Sequence, residues 1–130
     1  MVSLVSLFSF DALHVKAEIL SKIAHELVKK DVVNIYTDDE DFIKTKGLVS
    51  SVNYTTCKDA DVVFISKIDT LSKGCNVKYL FSTSYYLYQT LPEVVGVFFW
   101  QKGRPNIIIK SSMAKKLNIS LSESFEKYVE

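Results

Sequence analysis

A chain of 130 residues, 48% of them apolar, can bury one ordinary core and is sized for a single domain. Sixteen basic and fifteen acidic residues leave a net charge of +1, and no stretch gathers Lys or Arg beyond Lys29-Lys30 and Lys115-Lys116, so the basic footprint of a nucleic-acid binder is missing. No segment approaches the roughly 20 apolar residues of a membrane-spanning helix, and the two cysteines are too few and too far apart for a zinc motif.

Residues 1–10, MVSLVSLFSF, carry no charge and resemble the hydrophobic part of a secretory signal peptide. Two features depart from that pattern: no Lys or Arg follows Met1, and Phe10 stands where a small residue is preferred before cleavage. A first strand or a helix extension packed on the core is the alternative. Residues 1–12 are therefore set apart as a signal-peptide remnant or extension, and residues 13–130 as the domain. A helix is predicted from Asp11, as N-cap, to Lys30, with Lys29-Lys30 complementing the negative end of its dipole. Leu13, Ala17, Leu20, Ile23, Ala24, Leu27 and Val28 form its apolar stripe. His14, Glu18, Ser21, Lys22, His25 and Lys29 fall opposite, with both histidines solvated and without a second ligand at metal spacing. Lys16, at the stripe's edge, is expected to lay its stem on the core.

Val32 to Thr37 reads as a short strand, followed by Asp38-Asp39-Glu40 at the start of a short helix over residues 39–46 that Gly47 closes. Acids after a strand also occur in the pocket of phosphoacceptor receiver domains. Those need a further Asp ending a later strand, and Ser66-Lys67 stands in that place. Val49 to Thr56 is a candidate strand, and Asp61 to Ser66 (DVVFIS) is the clearest parallel-strand signal, short and apolar on both faces. A helical turn from Ile68 to Gly74 and a strand from Val77 to Ser82 follow. Strand, short helix and strand in repetition predict α/β architecture: a three-layer, Rossmann-like, mostly parallel sheet with flanking helices.

Ser82 to Thr90 then lies beyond the C-terminal end of a parallel strand, where such folds place their sites. Tyr85, Tyr86 and Tyr88 could line a binding surface there. Alternatively, Tyr85 and Tyr88 cover the core and Tyr86 faces solvent. Val94 to Trp100 and Ile107 to Ile109, joined through Gln101-Lys102-Gly103, predict a C-terminal antiparallel hairpin. Val94, Phe98 and Trp100 are expected on one face, with Val95, Val97 and Phe99 on the other. Pro105 belongs at a strand start or facing an open edge. Helices capped by Ser111 or Ser112, with Asn118 as stop, and from Ser122 to Glu130 complete the chain.

No glycine-rich phosphate loop, nucleophile elbow or zinc-protease motif occurs, and neither His lies near a Cys or Ser in a recognisable pattern. The reading is non-catalytic, with no catalytic, metal or cofactor residue assigned. Cys57 and Cys75 precede two strands that, if adjacent and parallel, bring both thiols to one end of the sheet. An exported protein could bridge them, whereas a cytosolic one would keep both reduced.

The ordered set of local strings resembles the YfiR family of small exported α/β proteins. Val15-Lys16-Ala17 with Ile19-Leu20 is similar to the family's opening helix, and Asp61 to Ser66 to its central strand. Gly96-Val97, Gly103-Arg104, Ile107 to Ile109, Ala114 and Leu117 to Ser120 resemble its closing hairpin, helix and Leu-x-Ile-Ser tail. Ala60 stands where the family's central strand is often preceded by Cys, and Lys110 where Asn commonly follows the hairpin, so the family's cysteine pairing does not carry over. The resemblance implies a periplasmic regulator that binds and represses the sensory region of a membrane-bound diguanylate cyclase, lowering cyclic-di-GMP and biofilm formation. Such a protein is peripheral to the membrane at most, and relatives also form homodimers. Tyr85, Tyr86, Tyr88, Lys102 and Arg104 are the candidate partner surface. The alternative is a periplasmic small-ligand module serving a sensor kinase or transporter. A cytoplasmic receiver-like or nucleotide-binding domain comes third, if the amino-terminal segment is no signal.

Overall fold

The computed structural model describes the backbone of residues 2–130 and the side chains of residues 12–130 except Lys73. Helix α1 (Val2–Leu27) leads into β1 (Val33–Thr37), α2 (Glu40–Ile43), β2 (Val52–Tyr54) and β3 (Val62–Ile65). A 3₁₀ helix (Ile68–Lys73) precedes β4 (Leu80–Ser82), and α3 (Tyr85–Thr90) separates β4 from the hairpin of β5 (Gly96–Gln101) and β6 (Arg104–Ile109). Short helices α4 (Ser111–Lys116) and α5 (Glu123–Glu126) close the chain. The strands form one sheet in the order β2-β1-β3-β4-β5-β6, parallel except for the β5–β6 pair. The order of the first five strands is that of a doubly wound sheet whose direction of winding reverses between β1 and β3.

Each face of this sheet buries its own core. On one side Leu20, Ile23 and Ala24 of α1, Phe42 of α2, Ala114 of α4 and Phe125 of α5 pack on Ile35, Phe64 and Phe98. Phe42 stacks on Phe98 at 5.1 Å between ring centroids. On the other side Leu71, Leu87 and Tyr88 pack on Val63, Ile65, Leu80 and Val97. All four residues of β3 are buried because its alternate side chains enter both cores. This is the predicted three-layer α/β architecture, with a thin second layer made of α3 and the 3₁₀ helix.

The hairpin turns on Lys102 (φ 53°) and Gly103 (φ 73°), two successive left-handed residues whose twist matches that of the flanking strands. Gly96 is set by close approach: a Cβ there would lie 2.3 Å from the Ile108 carbonyl oxygen and 2.8 Å from the Phe81 ring. Pro105 sits on β6, at the edge of the sheet, opposite Trp100.

Several local expectations are corrected. α1 passes through Asp11 without a break, so Asp11 is no N-cap and the first-strand alternative for residues 1–10 is excluded from Val2 onward. The helix ends at Leu27, and Lys30 instead pairs with Asp61 at 2.9 Å. Ser21 is buried and bonds Ser51 across the core boundary at 2.9 Å, although the helical wheel put it on the polar face. Strands β2 and β4 are shorter than predicted, and Val77 is exposed. Val94 and Val95 have exchanged faces, Val94 packing with Val97 and Val95 with Phe98, because regular alternation starts only at Gly96. Lys110, rather than Ser111 or Ser112, holds the N-cap position of α4. The last helix stops at Glu126, and Val129 pairs with Ile109 as an isolated parallel bridge. Glu26 holds this closing segment to α1 by accepting bonds from the Ser122 N–H (2.9 Å) and hydroxyl (2.6 Å).

Candidate functional site

The carboxy-terminal ends of β1, β3 and β4 meet at the point where the sheet's winding reverses, the usual place for a ligand in such folds. Asp38 and Asp39 stand there, but both are engaged. Asp38 Oδ1 accepts from the Ser66 N–H at 2.6 Å and the Ser66 hydroxyl at 2.8 Å. Its Oδ2 accepts from the Lys67 N–H at 3.2 Å and from the Thr70 hydroxyl. Asp39 caps α2 by accepting from the Asp41 N–H at 3.0 Å, and its other oxygen accepts from the Thr83 hydroxyl at 2.8 Å. The two acids therefore tie β1 to the ends of β3 and β4. Ser66, where a phosphoacceptor carboxylate would stand, donates to Asp38, and the edge works as a clamp.

Asp61 anchors the opposite end of the sheet. Its Oδ2 accepts from Lys30 and from the Asn34 N–H, each at 2.9 Å. Burial alone would raise its carboxyl, but the Lys30 bond, the Asn34 N–H and the Lys30 charge together hold it below the ordinary carboxylate value.

The histidines sit in fixed places. His14 pairs with Glu18 one turn along α1 at 3.0 Å. His25 Nδ1 lies 2.7 Å from the Ser21 carbonyl oxygen and 3.4 Å from the Ser21 hydroxyl, with Nε2 3.2 Å from the Asp31 carbonyl. Both ring nitrogens face carbonyl oxygens, which only accept, so backbone acceptors position the ring, and the nearer partner of the Ser21 hydroxyl is Ser51 at 2.9 Å. This Ser–His contact is thus a helix-end brace. Among the described residues no three His, Cys, Asp or Glu side chains gather as a metal site.

Cys57 and Cys75 are joined by a disulfide with Cα atoms 4.6 Å apart. They sit before β3 and β4, which pair in parallel, so the bridge locks the loops entering those strands. The Asn76 N–H donates to the Cys57 carbonyl, and its side-chain amide to the Ala60 carbonyl, both at 2.9 Å.

Of the three candidate tyrosines, the structure separates one from the other two. Ser82 to Thr90, read as a loop from sequence, is largely helix α3. Ser84 caps it by accepting from the Leu87 N–H. Tyr88 points inward and is 8% exposed, its hydroxyl donating to Glu130 Oε2 at 2.7 Å and its ring lying 5.0 Å beneath the Lys110 ammonium. Burial first, then the Glu130 hydrogen bond and charge, push the Tyr88 hydroxyl well above its ordinary range. Burial likewise draws the Lys110 ammonium down. Tyr88 is core and offers no surface to a partner.

Tyr85 and Tyr86 face outward, 43% and 70% exposed. Tyr85 stacks on Tyr88 at 5.9 Å and leans on Phe99 at 5.5 Å, so its ring is held in place by packing. Beside it a shallow, mostly apolar recess of about 560 Å³ is lined by Tyr85, Phe99, Trp100, Gln101 and Ile108. Among the described residues α3 is the helix that packs on β5 at this face, and the recess beside it stays open. Lys102 and Arg104 border a second depression that shares Gln101 with the first. Lys16, on the other face, lies 5.2 Å over the Trp100 ring, a specific contact beyond the expected snorkelling. The sequence signal for Phe99 and Ile108 was their place in the hairpin's two apolar runs, which does not mark either as lining a recess.

Comparison of the chain with protein-family models, curated proteins and solved structures finds no match in any of the three. Among the described residues no helix is long and apolar enough to cross a membrane.

Proposed function

We propose that this protein acts by docking rather than by catalysis, and that its partner is the periplasmic sensory region of a membrane-bound diguanylate cyclase. The observation that carries the docking reading is the aromatic shelf of Tyr85 and Tyr86 beside the open recess at Phe99 and Ile108. Rigid aromatics at a solvent-facing apolar patch supply contact area with little entropy to lose, as interface centres require. The cyclase as partner rests on the resemblance to the YfiR family, and the Cys57–Cys75 bridge suits an oxidising compartment such as the periplasm. Repression follows from population shift: a saturating regulator that binds the inactive form of the cyclase more tightly than the active one lowers cyclic-di-GMP output by at most that ratio of affinities.

A second reading, a small-ligand module for a sensor kinase or transporter, draws on the same recess, whose volume falls within the range of ligand pockets. Its wide mouth favours a protein surface. A photo-crosslinking amino acid placed at Tyr86, with the exposed Lys46 position as control, distinguishes the two. A cyclase joined at position 86 and absent at position 46 supports the repressor. A kinase or transporter component in the same product supports the ligand module, and a product identical at both positions removes the shelf as the docking face.

A further inference from the structure

We propose that the open edge of β6 receives an extended, acidic-ended peptide segment of a partner protein as an added strand. The surface lies on the sheet face opposite the tyrosine shelf, and the inference stands whether or not the cyclase is the partner.

The backbone directions are fixed by three bonds. The Lys110 N–H turns inward to the Val95 carbonyl at 2.8 Å. Ile109 turns outward: its N–H donates to the Tyr128 carbonyl at 2.9 Å, and its carbonyl accepts from the Glu130 N–H at 2.8 Å. Direction alternates along a strand, so Ile107 and Pro105 also turn outward, while Ile108 and Asn106 face β5. On β6 the closing segment bonds Ile109, and just beyond the strand the Glu130 carbonyl accepts from the Ser111 N–H at 3.2 Å. The Ile107 N–H, the Ile107 carbonyl and the Pro105 carbonyl are left as a row of two acceptors and one donor. Pro105 sits where its missing N–H spares β5 a ladder bond and blunts the edge.

A groove of about 270 Å³ runs beside this row. Ile19, Phe125 and Tyr128 form its apolar wall next to Ile107, and Lys22 and Lys127 stand at its rim. Among the described residues neither lysine takes part in an ion pair. A strand edge selects an extended backbone, the groove selects an apolar side chain at alternate positions, and the two ammonium groups select Asp or Glu at the segment's end. A second copy of this chain fits poorly. Pairing Ile107 with its own counterpart would yield two hydrogen bonds, set Pro105 against the already occupied Ile109, and bring the lysines of both copies together.

Panning a random seven-residue phage peptide library on the full chain tests this. The expected result is enrichment of sequences with alternating apolar residues next to Asp or Glu. The Lys22→Glu with Lys127→Glu variant, changed only at exposed side chains, should weaken their binding by about tenfold or more. Ile107→Pro, which removes the outward N–H, should do the same, and amide exchange at Ile107 should slow when the enriched peptide is bound. No enrichment, equal binding to the charge variant, or unchanged exchange at Ile107 overturns the proposal. So does a dimer in sedimentation that the enriched peptide fails to dissociate.

Discussion

Removing the Cys57–Cys75 bridge is a perturbation whose size follows from chain topology. The two residues are 18 apart, and closing a loop of that length in the unfolded chain gives about 3 kcal/mol of stabilisation in the chain-entropy account. The Asn76 bonds to Cys57 and Ala60 would still hold the same loops in the folded state, so the reduced protein keeps its fold and loses the constraint on its unfolded ensemble. With a urea m-value of about 1.5 kcal/mol/M, the midpoint should fall by about 2 M. The melting temperature should fall by roughly 10 °C. Urea denaturation followed by far-ultraviolet circular dichroism measures this on wild type, on reduced wild type and on the Cys57→Ala with Cys75→Ala variant. The last two should agree. Equal midpoints for oxidised and reduced protein, with reduction verified by mass, would refute the reasoning, as would two titratable thiols in protein isolated from an oxidising compartment.

Gly96→Ala should destabilise by about 2–3 kcal/mol in the same assay, because the new methyl must displace the Ile108 backbone or the Phe81 ring. Asp38→Ala should lose about 2 kcal/mol by leaving the Ser66 and Lys67 N–H groups without their acceptor, with faster amide exchange at the end of β3 as its local signature. Asp61→Asn should lower stability at neutral pH by less than about 1 kcal/mol, since the Lys30 partner is half-exposed. The folded Asp61 carboxyl is held below its unfolded value of about 3.9. Its contribution is therefore full above that pH, and the gap between variant and wild type should close as pH falls through the folded value. Tyr88 runs the other way: its hydroxyl is raised, so its contribution is intact below about pH 10 and is lost as pH climbs past it. Burial also raises the Tyr54 hydroxyl, so spectrophotometric titration should find two tyrosines that ionise only after the exposed ones, and Tyr88→Phe should remove one of them.

What the sequence disclosed divides along a physical line. β3 was legible because a short run that is apolar at every position has one use in an α/β chain. The hairpin was legible because Lys102-Gly103 can supply two left-handed residues between apolar runs. The start of α1 was not: Asp11 has the chemistry of a cap, and nothing in residues 2–10 breaks a helix that continues through it. Asp38 was read as a helix-end acid, whereas its true partners, Ser66, Lys67 and Thr70, become visible only once strand order sets β3 beside β1. Val129 pairs with Ile109 through two backbone bonds that no local pattern announces. For the candidate surface, the tyrosine cluster pointed to a segment that presents two exposed rings, Tyr85 and Tyr86. It could not separate Tyr88 from Tyr85 and Tyr86, because that depends on where a six-residue helix rests on β5.

Cellular cyclic-di-GMP offers the most direct measurement of the docking account. Deleting the gene should raise it, wild-type protein should restore it, and a folded Tyr85→Ala with Tyr86→Ala variant, secreted to the same level, should not. A nucleotide level unmoved by the deletion would contradict the account.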